Sequence, residues 1–128
     1  MATRYEDWLK QAERDLSHAR LSYEHGDYEW ACFAAHQASE KAVKALHLFF
    51  GQEAWGHVVA RLLRELPIPV PEELIERGMV LDGYYILPRY PNGFPEGAPF
   101  EHFGPLQAKE ALEHAGAILA FVRSQMAR

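Results

Sequence analysis

The sequence predicts an all-α protein: an up-and-down bundle of about five helices, with a long Pro/Gly-rich loop before the last helix, in one domain spanning residues 1–128. The placement of helix breakers is the first reason. All eight prolines lie between Pro67 and Pro105, and seven of the nine glycines lie between Gly51 and Gly104. Both ends of the chain are therefore nearly free of breakers, as long helices require. The second reason is that apolar residues recur there at steps of three and four, whereas no segment alternates as a strand would.

The composition is that of an ordinary folded domain. Of its 128 residues, 48% are hydrophobic and 24% charged, and the net charge of −5 argues against a whole-surface affinity for nucleic acid, though not against a local basic patch. A single cysteine, Cys32, excludes an internal disulfide framework and a cysteine-rich zinc site. The charged N-terminal stretch lacks the apolar core of a signal peptide, and no apolar run approaches the roughly 20 residues of a membrane span. We therefore expect a soluble, cytoplasmic protein with no membrane association.

The first two helices are predicted from signals at their ends. Thr3 and Glu6 form a capping box before the first helix, which is predicted to end at Gly26. Asp27 can cap the second helix, which is predicted to run to about Phe50.

On a helical wheel the second helix has two faces. One face is mostly alanine, which suits close antiparallel packing against the first helix. Its members are Ala31, Ala34, Ala35, Ala38, Ala42, Ala45, Leu46 and Phe49. The other face is polar and carries His36, Gln37, Glu40, Lys41, Lys44 and His47.

Three further helices complete the predicted bundle. A third helix is predicted from Trp55 to Leu66, and Pro71 fits the first position of a fourth. Residues 88–104 form the Pro/Gly-rich loop, which is long enough to be either functional or mobile. Pro105 can open the last helix, which carries a clean apolar stripe.

The polar face of the second helix admits two chemical interpretations. His36, Glu40 and His47 lie within a narrow arc, which would suit a metal site or a proton-transfer cluster, but a solvated face is the simpler interpretation. His36 and His47 are three turns apart, about 16 Å along the axis, so one metal ion cannot take both. We expect no metal site there. Lys41 and Lys44 lie one turn apart and could hold a phosphate-bearing ligand, although a solvent-facing stripe is favoured on pattern alone.

Arg89 and Tyr90 open the long loop. An arginine among aromatic residues beside such a loop could clamp a base or a phosphate. Alternatively Arg89 could pair with a carboxylate as a structural staple, and the two interpretations have similar weight. Cys32 is interpreted as a small hydrophobic residue rather than a nucleophile.

The run from Tyr28 to Leu46, which reads YEWACFAAHQASEKAVKAL, resembles the central helix of HEPN domains. Weaker features agree in the same order along nearly the whole chain: the segment Ala12 to Leu16, Gly56-His57 before a Leu pair, Arg89-Tyr90-Pro91, and an alanine-rich last helix.

The resemblance implies an all-α bundle that binds a nucleotide or RNA. It also implies a small nucleotidyltransferase partner in a two-component, toxin–antitoxin-like pair. The positions chosen for ligand binding are Gln37, Lys41, Lys44, Arg89 and Tyr90. Further candidates are His36, Glu40, His57 and His102. No cofactor is expected, and exposed aromatic residues lead us to expect a homodimer or a higher homo-oligomer.

One branch of the HEPN family consists of metal-independent ribonucleases. Their motif is an Arg followed four to six residues later by a His. Arg20 and His25 have that spacing but lie at the end of the first helix, and Arg89 and His102 are thirteen positions apart. We therefore assign no catalytic residue and expect inefficient RNA cleavage. A ribonuclease with an irregular Arg/His site and a ligand-free helical assembly subunit stay open as alternatives.

Overall fold

The computed structural model describes residues 4–127, which contain five α-helices and no strand. The helices are α1 (Tyr5–His25), α2 (Tyr28–Phe49), α3 (Val59–Arg64), α4 (Glu72–Asp82) and α5 (Pro105–Met126). The predicted all-α bundle of five helices is confirmed. None of the described helices is long and apolar enough to cross a membrane.

α1 and α2 form an antiparallel pair around a tight turn. Gly26 has φ 84°, the left-handed conformation that glycine adopts at no steric cost, and its N–H bonds to the last turn of α1. The alanines of α2 are buried, as the small-residue face predicts, so α1 lies close against it. α2 is the central helix, because its other sides pack against α5, α3 and α4.

α3 is shorter than predicted, and its start is the main correction to the sequence-based elements. It begins at Val59, not near Trp55, whose side chain is 80% exposed instead of packed. The reason is a tertiary cap: the Asp82 carboxylate accepts hydrogen bonds from the N–H groups of Val59 (2.6 Å) and Ala60 (3.1 Å). Gly56, at φ 95°, turns the chain just before this cap.

Other helix ends follow local signals. Pro71 stands at the N-cap of α4, and Pro105 is the first residue of α5. α1 begins after Arg4 with no side-chain cap, and Thr3 of the predicted capping box lies outside the described residues.

The loop of residues 88–104 has a defined internal structure. It contains two short 3₁₀ turns, Pro91–Gly93 and Pro99–Glu101. The His102 ring stacks on Phe94 at 4.0 Å between centroids, and its Nε2 donates to the Glu96 carbonyl at 2.7 Å. Phe103 is buried beneath them against Phe94. The loop is therefore packed on its own aromatic cluster.

Candidate functional site

Arg89 lies at the centre of an aromatic cluster that joins the loop to α2. Its guanidinium carbon lies 4.4 Å from the centroid of Phe33, 4.8 Å from Tyr85 and 5.3 Å from Tyr90. Its Nε donates to the Tyr85 carbonyl at 2.8 Å. Among residues 4–127 no acceptor is bonded to its two terminal amino groups. The aromatic rings therefore orient a guanidinium that keeps a two-pronged donor edge for a ligand.

A carboxylate–imidazole pair borders the same cluster at Tyr85. His57 Nδ1 donates to Glu40 Oε1 at 3.0 Å, and the second Glu40 oxygen accepts from Lys44 Nζ, also at 3.0 Å. The Glu40 carboxylate is buried, whereas 54% of the His57 side chain is exposed. The His57 ring stacks on Tyr85 at 4.7 Å, nearly parallel. Glu40 thus orients an imidazole whose Nε2 is left for solvent or a ligand.

The backbone at His57 is fixed by a second, fully buried histidine. His36 Nε2 lies 2.9 Å from the His57 carbonyl oxygen and 3.3 Å from an oxygen of Asp82. Since both neighbours are acceptors, Nε2 carries the proton, and Nδ1 accepts from the amide nitrogen of Gln37 at 3.3 Å. His36 is therefore a positioning residue for the segment that carries His57.

His47 repeats this arrangement further along α2. Its Nε2 donates to the Leu62 carbonyl at 2.8 Å, and its Nδ1 accepts from Gln52 at 2.8 Å. The solvated-face interpretation of this helix is consequently wrong for three residues, because His36, Glu40 and His47 are all buried. Within residues 4–127 no group of three His, Cys, Asp or Glu side chains is arranged to hold a metal ion.

The two lysines chosen for ligand binding are both engaged in ion pairs. Lys41 donates to Asp15 of α1, whose other oxygen accepts from Gln11 at 2.9 Å. Lys44 is bonded to Glu40 and lies 5.9 Å from the Trp8 ring. The Lys41–Asp15 pair links α2 to α1, whereas the Lys44–Glu40 pair lies within α2. Both pairs leave Arg89 as the more available cation of the candidate site.

The structure thus divides the predicted site residues into three groups. His36, Gln37, Glu40, His57 and Arg89 gather about Tyr85, and Tyr90 lies against Arg89. Lys41 and Lys44 lie on the side facing α1. His102 lies in the aromatic cluster of the long loop.

Sequence reasoning missed the part of Phe33 in this site. Phe33 belongs to α2, one turn before Gln37, and its ring covers Arg89 from a helix more than fifty positions away. The spacing of Phe33 and Gln37 on one face of a helix was the only signal available for it.

Cys32 lies in the core behind the site. It is completely buried, and burial, with the nearby Glu29 charge as a second cause, raises the pKa of its thiol to about 12. At neutral pH the sulfur is a thiol and not a nucleophilic thiolate, which agrees with its interpretation as a small hydrophobic residue.

The sequence and the fold of this chain are both similar to those of known proteins. The family model of the HEPN domain matches residues 5–125. The crystal structure of TT1696 from Thermus thermophilus is 52% identical, covers 96% of this chain and 98% of its own, and superposes with a TM-score of 0.94. ST0689, described as an archaeal HEPN homologue, is 42% identical over 98% of this chain and 99% of its own, with a TM-score of 0.85.

Two more distant relatives extend the comparison. A HEPN domain protein from Thermotoga maritima, tm0613, is 35% identical over 95% of this chain and 98% of its own, with a TM-score of 0.78. A protein of Methanocaldococcus jannaschii named "Putative toxin MJ1304" is 27% identical over 127 residues, which are 91% of this chain and 84% of that protein.

Proposed function

This chain belongs to the HEPN domain family, and from that premise we propose that it binds the phosphate of a nucleotide or RNA at Arg89, as one half of a toxin–antitoxin-like pair. The observation that carries the proposal is the state of the Arg89 guanidinium. Three aromatic rings and the Tyr85 carbonyl hold it, while its terminal amino groups keep their donors for a ligand. A planar guanidinium presented in this way matches two phosphate oxygens.

The other proposed ligand residues support Arg89 from two sides. Tyr90 is 49% exposed and offers a ring on which a base can stack. Gln37 lies beside the buried His36 and contributes a side-chain amide. Lys41 and Lys44, the other two proposed ligand residues, are paired with Asp15 and Glu40, so a phosphate has to compete with a carboxylate for either ammonium group.

The proposed partner is a small nucleotidyltransferase. The likeness to a protein named as a toxin supports a two-component role, in which one protein restrains the other. We also propose that the protein forms a homodimer or a higher homo-oligomer and that it lies in the cytoplasm. Exposed aromatic side chains such as Trp55 and Phe100, 80% and 65% exposed, are the surface feature that favours association.

Binding of a short RNA oligonucleotide, followed by fluorescence anisotropy, tests the phosphate site. Arg89→Ala is expected to weaken binding about tenfold or more, because charge-assisted hydrogen bonds to the phosphate are lost. Arg123→Ala is the matched control: it removes the same charge from α5, where Arg123 pairs with Glu13. Equal weakening by both variants would mean that only net charge matters, and the proposal would fail.

A second candidate function, a metal-independent ribonuclease, is favoured by the Glu40–His57 pair. In such a reaction His57 Nε2 would take the proton of a ribose 2′-OH, the 2′-oxygen would bond to phosphorus, and the 5′-oxygen would leave with a proton returned to it. Arg89 would neutralise the charge on the phosphate. His57 and Arg89 each lie within 5 Å of the Tyr85 ring, so both groups border the same aromatic residue.

RNA degradation in the presence of EDTA distinguishes the two functions. A ribonuclease of this kind loses cleavage in both His57→Ala and Arg89→Ala, whereas His102→Ala leaves it intact. A wild-type protein that binds RNA without cleaving it rejects the ribonuclease and retains the binding function.

A further inference from the structure

A small depression lies between α1 and α2, and Phe33 belongs both to its wall and to the Arg89 cluster. It has a volume of about 270 Å³, and its walls include Trp30, Phe33, Gln37 and Lys41 of α2 and Asp15 and His18 of α1. We infer that this depression is a subsite for one nucleobase. The inference rests on the proposed phosphate site at Arg89 and names the part of the ligand that would lie next to it.

Phe33 connects the depression to the phosphate site. Its ring forms one wall of the depression and also lies 4.4 Å from the Arg89 guanidinium carbon. A ligand whose phosphate is bound by Arg89 therefore has its next group within reach of this wall.

Trp30 supplies the stacking surface. Its indole packs edge-on against Phe33, with ring centroids 6.0 Å apart at 77°, and 47% of the residue is exposed. The Phe33 ring thus holds the indole in place while leaving part of it open to a planar ligand. A flat base fits such a surface, since every base has a π-face.

The volume limits what the depression can hold. Pockets for drug-sized ligands begin at about 300 Å³. At about 270 Å³ the depression is below that range. A depression of that size is large enough for a single planar base and smaller than a site for a drug-sized ligand.

The polar lining of the depression contains both acceptors and donors. Asp15 adds carboxylate oxygens, Lys41 an ammonium group that donates to that carboxylate, and His18 an imidazole. Gln37 contacts His36 Nδ1 through its amide nitrogen at 3.3 Å, which leaves its oxygen as a further acceptor. A lining of this mixed kind can pair with the edge of any base, so we expect the subsite to accept more than one base.

Two probes test the subsite: a cytidine tetranucleotide, and ribose 5-phosphate, which has no base. Trp30→Ala is expected to weaken binding of the cytidine oligomer about fivefold or more, as loss of a stacked base does. The same variant should leave the affinity for ribose 5-phosphate unchanged, and Trp30→Phe should keep most of the oligomer binding.

Trp8→Ala is the matched control. Trp8 is another partly exposed tryptophan of the α1–α2 face, but it lies beside Lys44 and does not line the depression. The Trp8→Ala variant should bind both probes as the wild type does.

The outcomes separate this inference from the proposed function. If Arg89→Ala weakens both probes while Trp30→Ala weakens neither, or if Trp30→Ala weakens both probes equally, the base subsite is overturned and the phosphate site stands. If Arg89→Ala weakens none of the probes, or if the wild type binds none of them, the phosphate site fails and the subsite fails with it.

Discussion

The Glu40 carboxylate and the His57 imidazole are joined by a 3.0 Å hydrogen bond, although seventeen positions separate them in the chain. The bond ties the segment before α3 to the central helix. Glu40 is buried and uses its second oxygen for Lys44, so that one carboxylate serves both a cation on its own helix and an imidazole from outside it. The arrangement makes Glu40 more important for stability than His57, which is half exposed.

Glu40→Ala is therefore expected to destabilise the protein by about 3–5 kcal/mol, because the mostly buried Lys44 ammonium would lose its counter-charge. His57→Ala should cost about 1 kcal/mol, since it removes one partly exposed hydrogen bond. Urea unfolding followed by circular dichroism measures both. Glu65→Ala, which removes an exposed ion pair with Arg61, is the control and should cost less than about 1 kcal/mol. Equal costs for Glu40→Ala and Glu65→Ala would contradict the buried pairing.

Two helical glycines should respond in opposite directions to the same substitution. A Cβ at Gly78 of α4 would lie 3.1 Å from the Ala60 nitrogen and 3.2 Å from a methyl group of Val59. In Gly78→Ala these atoms of α3 have to shift by a few tenths of an ångström, and because one of them is backbone we expect a loss of stability. A Cβ at Gly116 of α5 would meet nothing within 4 Å. Gly116→Ala should therefore stabilise the protein by about 0.5–1 kcal/mol, the usual gain from replacing a glycine inside a helix.

Thermal unfolding of the two variants provides the comparison. A lower melting temperature for Gly78→Ala and a higher one for Gly116→Ala are expected. A rise in both would show that α3 does not lie as close to α4 as described.

Local signals were sufficient for much of the fold, whereas features that depend on distant residues were not predictable. Gly26 and Pro105 mark helix ends through their own backbone chemistry, and both ends were predicted. The start of α3 depends instead on Asp82, which is more than twenty positions away and leaves no local trace. For the same reason Trp55 was wrongly included in the third helix.

The candidate site shows the same division. His36 and His47 have the spacing of a polar helix face, and only tertiary structure brings the carbonyl groups of His57 and Leu62 to them. Arg89 and Tyr90 were singled out because they are neighbours in one short motif, whereas Phe33 comes to them from another helix. The ligand itself stays a prediction.

The Cys32 thiol should be unreactive in the folded protein. It is fully buried, and its pKa is raised to about 12, so almost no thiolate exists at pH 8. Ellman's reagent is expected to react with about one thiol per chain in denaturant and with almost none in native buffer. Rapid labelling of the native protein would show that α2 opens at this point.

His114 of α5 should make stability depend on pH. Its pKa is lowered from the ordinary value of 6.5, first by burial and then by the Arg77 charge, which outweigh the opposing Glu110 and Glu113. Arg77 donates to His114 Nδ1 at 3.0 Å, which requires that nitrogen to be unprotonated. In the unfolded chain the same imidazole takes up a proton as soon as the pH falls through about 6.5.

Below that pH the unfolded state binds more protons at this position than the folded state does, so the contribution of His114 to stability falls as the pH decreases. The loss starts near pH 6.5 and ends below the folded-state pKa; above pH 6.5 the contribution is constant. In urea unfolding at pH 7.5 and pH 5, the wild type should lose more free energy of unfolding than His114→Gln, whose amide can still accept from Arg77 and does not titrate. The other histidines act equally in both proteins and cancel from this comparison. An identical pH dependence for the two proteins would mean that folding leaves the proton affinity of His114 unchanged.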